Sequence, residues 1–173
     1  MHIGIVRLSA IGDAVLLLPA IRALQARWPQ AQITWITTPA VHSLLEGLSG
    51  VDFMLIDKPQ TLSDYLHLRQ ALRPVRFDVL LCMQASLRVN LIYPLIRAER
   101  KIGFDDARAR DGHRLFVREQ IAPADHHLAD GFLSFAALLQ ADTTKVRWDM
   151  PLQANAMAFA RGTVDEARQT VAI

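Results

Sequence analysis

Two hydrophobic periods alternate along this chain. Short apolar runs at residues 2–8, 32–37, 52–56, 78–82 and 101–104 read as strands. Between them, residues 14–28, 39–48, 62–72 and 87–97 carry apolar positions at helical spacing. Runs such as Ile33-Thr34-Trp35-Ile36 and Val79-Leu80-Leu81 are apolar on consecutive positions, as strands covered on both faces are. The order βαβαβαβαβ predicts an α/β fold, a Rossmann-like parallel sheet with helices on both faces.

The punctuation agrees with these elements. Trp28-Pro29 closes the first helical segment, and Pro39 sits in the first turn of the second. Thr61 or Ser63 caps the third, and Pro74 stops it. Pro19 and Pro94 fall inside the first and fourth helical segments, where each is expected to remove a backbone bond and bend the helix. Residues 105–118 are polar and carry Arg108, Arg110, Arg114 and Arg118, a surface segment too long for a neutral connector. Two more helices are expected at 125–139 and 155–168. Residues 170–173 read as the start of a further strand, which places a domain boundary near 168 and leaves 169–173 as the beginning of a second domain.

Composition narrows the class. With 173 residues, 51% hydrophobic and 21% charged, the chain is long enough and apolar enough for one cored domain. A formal net charge of +2 is too small for a nucleic-acid arm. It suits an anionic small substrate or an anionic membrane surface. The single cysteine, Cys82, lies in an apolar strand and reads as a buried small hydrophobe, with no disulfide framework or cysteine-clustered zinc site. No apolar stretch approaches the ~18 residues of a membrane span, and Arg7 and Asp13 interrupt the apolar start that a signal peptide would need. A cytoplasmic location is the expectation.

Candidate chemistry concentrates where the first strand gives way to the first helix, at Ser9-Ala10-Ile11-Gly12-Asp13. Only Gly12 is in place for a dinucleotide fingerprint, and the Gly-Lys-Ser/Thr of a phosphate loop is missing. On residue types alone, Ser9 or Asp13 reads most simply as a helix cap. The other reading is a general base: a carboxylate with an ordinary pKa of about 3.9 is ionised at neutral pH and can take a proton from a hydroxyl. A helix N-terminus would keep it ionised, and closure of an apolar cleft would raise its basicity. His126-His127 does not read as a metal pair, because adjacent helical residues point about 100° apart. Gly4 is expected to permit close packing in the first strand, and Trp35 and Trp148 to be packing groups.

Ile5-Val6-Arg7-Leu8-Ser9-Ala10-Ile11-Gly12-Asp13, followed by Leu18-Pro19-Ala20-Ile21-Arg22-Ala23-Leu24, resembles the N-terminus of the bacterial heptosyltransferases, which add heptose to the lipopolysaccharide core. The likeness continues through Trp28-Pro29, Ile33-Thr34-Trp35-Ile36, Phe77-Asp78, Gln84, Gly103-Phe104-Asp105, Ala109-Arg110 and His127, in order along the chain. It implies the N-terminal half of a GT-B glycosyltransferase, two Rossmann-like domains facing a cleft. Residues 1–168 would hold the acceptor, and a C-terminal domain would hold the ADP-sugar. Asp13 would be the base of an inverting transfer from ADP-heptose to a Kdo-lipid acceptor at the inner-membrane surface, with neither metal nor cofactor. Ser9 and Gly12 would shape the turn, Arg110 would pair with the acceptor's anionic groups, and Gln84, Arg88 and His127 would line the same site. Arg108, Arg114 and Arg118 are expected to be solvated. A non-catalytic α/β binding or regulatory domain, and a transferase of another nucleotide-sugar, remain alternatives at this level.

Overall fold

The structure, a computed structural model, describes residues 1–123 and 127–163. Six strands form one sheet: β1 (His2–Val6), β2 (Gln32–Thr37), β3 (Asp52–Leu55), β4 (Arg76–Cys82), β5 (Arg97–Gly103) and β6 (Glu119–Gln120). Their spatial order is β3-β2-β1-β4-β5-β6, and every pair is parallel. The α/β expectation therefore holds, and the strand order reverses between β1 and β4.

Side-chain alternation divides the core. Ile3 and Ile5 of β1, Ile33 and Trp35 of β2, and Val79 and Leu81 of β4 point to one face. There they meet α1 (Ile11–Leu16), α2 (Leu18–Arg27), α3 (Pro39–Leu45) and α6 (Leu128–Leu138). Val6, Ile36, Leu80 and Cys82 point to the other, against α4 (Leu62–Leu72) and α5 (Leu87–Asn90). A β-carbon on Gly4 would stand 2.8 Å from Leu80 and 2.9 Å from the Phe77 ring, so this strand position has room only for glycine. Cys82 is fully buried, and burial pushes its thiol well above the ordinary range.

Prolines cause most of the departures from the predicted elements. The first helical segment begins earlier, at Ile11, and divides at Leu17 into α1 and α2, with Pro19 in the first turn of α2. Pro39 likewise sits in the first turn of α3, which ends at Leu45 rather than 48. The fourth segment was expected to be a bent helix. It yields only the single turn α5 and a 3-10 turn, Tyr93–Leu95, around Pro94. Freed of helix, Arg97–Gly103 extends β5 towards its N-terminus. Thr61 caps α4, accepting from Asp64 N–H at 3.3 Å, while Asp64 accepts from Thr61 N–H at 2.8 Å. The 105–118 segment contains a 3-10 turn, His113–Leu115, and leads into the unpredicted β6. Trp35 is buried as expected, whereas Trp148 is 42% exposed and does not pack in the core. Helix α7 spans Ala154–Thr163; the expected extension to 168 and the 169–173 segment lie outside the described residues, as does His126.

Candidate active site at the strand reversal

Where strand order reverses in an open parallel sheet, the connections leaving two adjacent strands diverge and open a crevice at their carboxyl ends. Here those ends are Arg7–Leu8 after β1 and Met83–Gln84 after β4. Leu8 N–H donates to Gln84 Oε1 at 2.8 Å, and Gln84 Nε2 donates to Ser9 Oγ at 3.4 Å. The Gln84 amide thus ties the two strand ends together and holds the turn. The Tyr93 hydroxyl braces it from behind, donating to the Gln84 carbonyl at 2.5 Å. The Arg7 carbonyl accepts from Thr37 Oγ1 at 2.8 Å and from the Trp35 indole at 3.1 Å. The backbone carbonyl of the strand end is thereby committed before the chain turns.

Asp13 lies in the first turn of α1. The N-cap residue is Ala10, which has no side-chain cap to offer; Asp13, at the third helical position, caps the helix start by accepting from the Ala10 N–H, and Ser9 does not. Asp13 Oδ2 accepts from Ala10 N–H at 3.2 Å and forms an ion pair with Arg7 Nη2. Both contacts use the same oxygen. Oδ1 has no hydrogen-bond partner among the described residues, and the side chain is 29% exposed. Beside it Gly12 is exposed, with open space where a β-carbon would stand. Among the described residues nothing shields this side of the turn.

Arg7 is the residue that sequence reasoning passed over. Its side chain is 10% exposed. Nη1 donates to the Met83 carbonyl at 2.7 Å, and the guanidinium lies 5.4 Å from the Phe132 ring centroid. Nε is buried with no hydrogen-bond partner among the described residues. Burial lowers the guanidinium from its ordinary value, and the Asp13 carboxylate partly offsets this. The signal was an arginine closing an apolar strand, a place where a charge is retained only with partners.

Arg7, Arg108 and Arg110 share one cavity of about 490 Å³ with Ala85, Phe104, Ala107 and Leu128. Arg108 pairs with the buried Asp105 and packs against Gly131. It is therefore not the solvated arginine expected from the sequence. Arg110 has an exposed side chain that faces no carboxylate among the described residues. With Arg7 and Arg108 each matched by an acid, it leaves the cavity one positive charge in excess. Its backbone is held firmly: Asn90 Nδ2 donates to the carbonyls of Arg110 and Asp111 at 3.1 and 3.0 Å. Asn90 Oδ1 in turn lies 2.8 Å from His113 Nδ1. Because His113 Nε2 accepts from Phe104 N–H at 3.2 Å, the proton of the neutral ring sits on Nδ1. Burial pushes His113 down to about 4.

The remaining sequence candidates lie elsewhere. Arg88 is exposed on α5 and does not line the cavity; its carbonyl accepts from the Tyr65 hydroxyl at 2.9 Å. His127 caps α6 through Nδ1, which accepts from Ala129 N–H at 3.3 Å, and its neighbour Leu128 reaches the cavity. Arg114 forms an exposed pair with Asp106, and Arg118 is exposed, as expected. A larger cavity of about 730 Å³ lies between α4 and the segment after β3, and includes neither Arg7 nor Asp13. Among the described residues no group of three His, Cys, Asp or Glu side chains could hold a metal ion, and no helix is long and apolar enough to cross a membrane.

A parallel sheet carrying a carboxylate and a cluster of guanidinium groups at its reversal point defines a Rossmann-like α/β domain. Residues 65–173 match glycosyltransferase family 9 (heptosyltransferase), and the chain belongs to that family. It is 32% identical over 170 residues to the lipopolysaccharide core heptosyltransferase OpsX of Haemophilus influenzae, covering 98% of this chain and 49% of that protein. Its fold is shared by E. coli heptosyltransferase WaaC with ADP, at TM-score 0.71 and 21% identity over 87% of this chain and 51% of the other. The family 9 glycosyltransferase of Veillonella parvula has TM-score 0.74 and 17% identity over 95% and 50%. The chain spans about half the length of the relatives it matches.

Proposed function

We propose that this chain is the acceptor-binding half of a heptosyltransferase that moves heptose from an ADP-heptose donor to the inner core of lipopolysaccharide. The observation that carries the reading is the Asp13 carboxylate. Arg7 and the Ala10 N–H fix one oxygen, and the other has no hydrogen-bond partner among the described residues. A carboxylate held this way is oriented without being consumed by its own hydrogen bonds. Oδ1 accepts the proton of an acceptor hydroxyl as that oxygen attacks the anomeric carbon. The carbon–oxygen bond to the diphosphate breaks on the opposite face, ADP leaves with the electron pair, and the configuration inverts. The developing oxocarbenium character is of the kind met in glycoside hydrolysis.

Arg110 supplies the uncompensated charge for an acceptor carboxylate or phosphate, and guanidinium pairs with either bidentately. Arg7 and Arg108 set the wall against which that group sits. Ser9, Gly12 and Gln84 shape the turn rather than react. The donor would be held by the domain that such relatives carry beyond this half, and the ADP-sugar is a substrate, so the transfer needs no cofactor. The Kdo-lipid acceptor places the work at the cytoplasmic surface of the inner membrane. Incubation of the intact protein with ADP-heptose and a Kdo-lipid acceptor should give product heavier by one heptose, together with ADP. Absence of that product, with ADP-heptose consumed only by water or not at all, would overturn the reading.

A further inference from the structure

One flank of α4 carries a pattern that neither the core nor the crevice uses. Tyr65, Leu68 and Leu72 turn inward on the sheet. Leu62, Leu66, Arg69 and Arg73 follow one another at spacings of four, three and four, which places them along one stripe, about a quarter turn from the buried face. Leu62 is 84% exposed and Leu66 60%. Leu66, Arg69 and Arg73 share a cleft of about 540 Å³ with Leu95 and Arg97, the first residue of β5. The acid of this helix, Asp64, is taken up by its own cap, where it accepts from the N–H groups of Gln60 and Thr61.

Charge around this cleft is unbalanced. Arg76, Arg100, Arg114 and Arg147 each face a carboxylate. Arg69, Arg73 and Arg97 face none among the described residues, although they line one cleft. Three like charges gathered there repel one another unless an anion lies between them. A small soluble anion would account for the arginines and leave the leucines unexplained. Beside α4, joined to it by the Tyr65 hydroxyl, α5 adds further exposed apolar surface at Leu87 and Leu91, 58% and 42% exposed.

We infer that the α4 stripe, with Arg97 beside it, docks on an anionic lipid surface. The arginines lie among phosphate headgroups and the leucines at the acyl boundary, as amphipathic helices do when they lie in the interface. This rests on the proposed membrane location and assigns it a face. Leucine and arginine on one stripe are the two side chains that such an interface takes up together.

Vesicle co-sedimentation of the intact protein tests it, using phosphatidylglycerol–phosphatidylcholine vesicles against phosphatidylcholine alone. The wild type should partition onto the anionic vesicles. Near an anionic surface each arginine is worth about fivefold in partitioning, so Arg69→Ala/Arg73→Ala/Arg97→Ala should lose on the order of a hundredfold. The triple lysine variant should stay within several-fold of wild type, since a surface of headgroups needs charge rather than a fork. Leu62→Ser/Leu66→Ser should weaken binding with unchanged circular dichroism. All five positions are outside the crevice, so transfer to a water-soluble acceptor lacking acyl chains should be retained, and a failure of the transferase reading would show there, in the wild type. Equal binding of wild type and the triple alanine variant would overturn the inference. So would equal binding to both vesicle types, or release by inorganic phosphate beyond that of chloride at equal ionic strength.

Discussion

Arg7 does two jobs at one strand end. It satisfies the Met83 carbonyl and it fixes the orientation of Asp13. Arg7→Ala removes both contacts and the face it presents to Phe132. Losing one partner of a buried pair costs about 3–5 kcal/mol when both are enclosed; Asp13 is partly exposed, so about 2 kcal/mol is expected in urea unfolding. His113 gives a pH signature. The residue is buried, and burial pushes it down from the ordinary 6.5 to about 4. As pH falls below 6.5 the unfolded chain takes up the proton first, so stability drops until about pH 4 and then levels. The loss is on the order of 3 kcal/mol. Unfolding at pH 7 and pH 4.5 should show it for the wild type, and the His113→Gln variant should lack this component. Asp13 stood out as an acid in the turn after an apolar strand, and Gln84 only through the family resemblance. Arg7 and Arg108 were not legible: Arg7 stands singly after an apolar strand, and Arg108 sits in a polar run that reads as solvated. Only burial turns such a pair into a wall of a site.

At the scale of elements, the sequence resolves every strand but β6, a two-residue pairing too short to leave a period. Helix ends were less legible. Pro19 divides the first segment and Pro94 removes the second half of the fourth, because proline removes a donor and clashes with the preceding turn. The apolar pattern around each proline is equally compatible with a bend or a break, and packing decides between them. The break before Pro19 matters for the site: it leaves α1 as a short helix whose first turn presents Asp13. The glycine in β1 was legible for the right reason. Gly4→Ala would drive a β-carbon into the Phe77 ring and Leu80, and overpacking of this kind costs about 1–3 kcal/mol. A thermal melt should fall by several degrees, with the sheet retained in circular dichroism.

For the whole molecule, the strand order is the feature that ties fold to chemistry. A parallel sheet that reverses between β1 and β4 offers one crevice, and the motif that stood out in the sequence lies in it. The cavity beside it carries an excess positive charge at Arg110, on a loop that Asn90 holds by two carbonyls. Arg110→Ala should raise the KM for a Kdo-lipid acceptor by at least about tenfold, with a smaller change in kcat, because the lost contact is one of binding. The chain spans about half the length of its relatives. The central claim is that Asp13 is the base, and turnover of the intact Asp13→Asn variant with ADP-heptose and acceptor tests it most directly. Asparagine keeps the shape and cannot take the proton, so kcat should fall by at least about a hundredfold while circular dichroism and acceptor binding are kept. Turnover within a few-fold of wild type would contradict it.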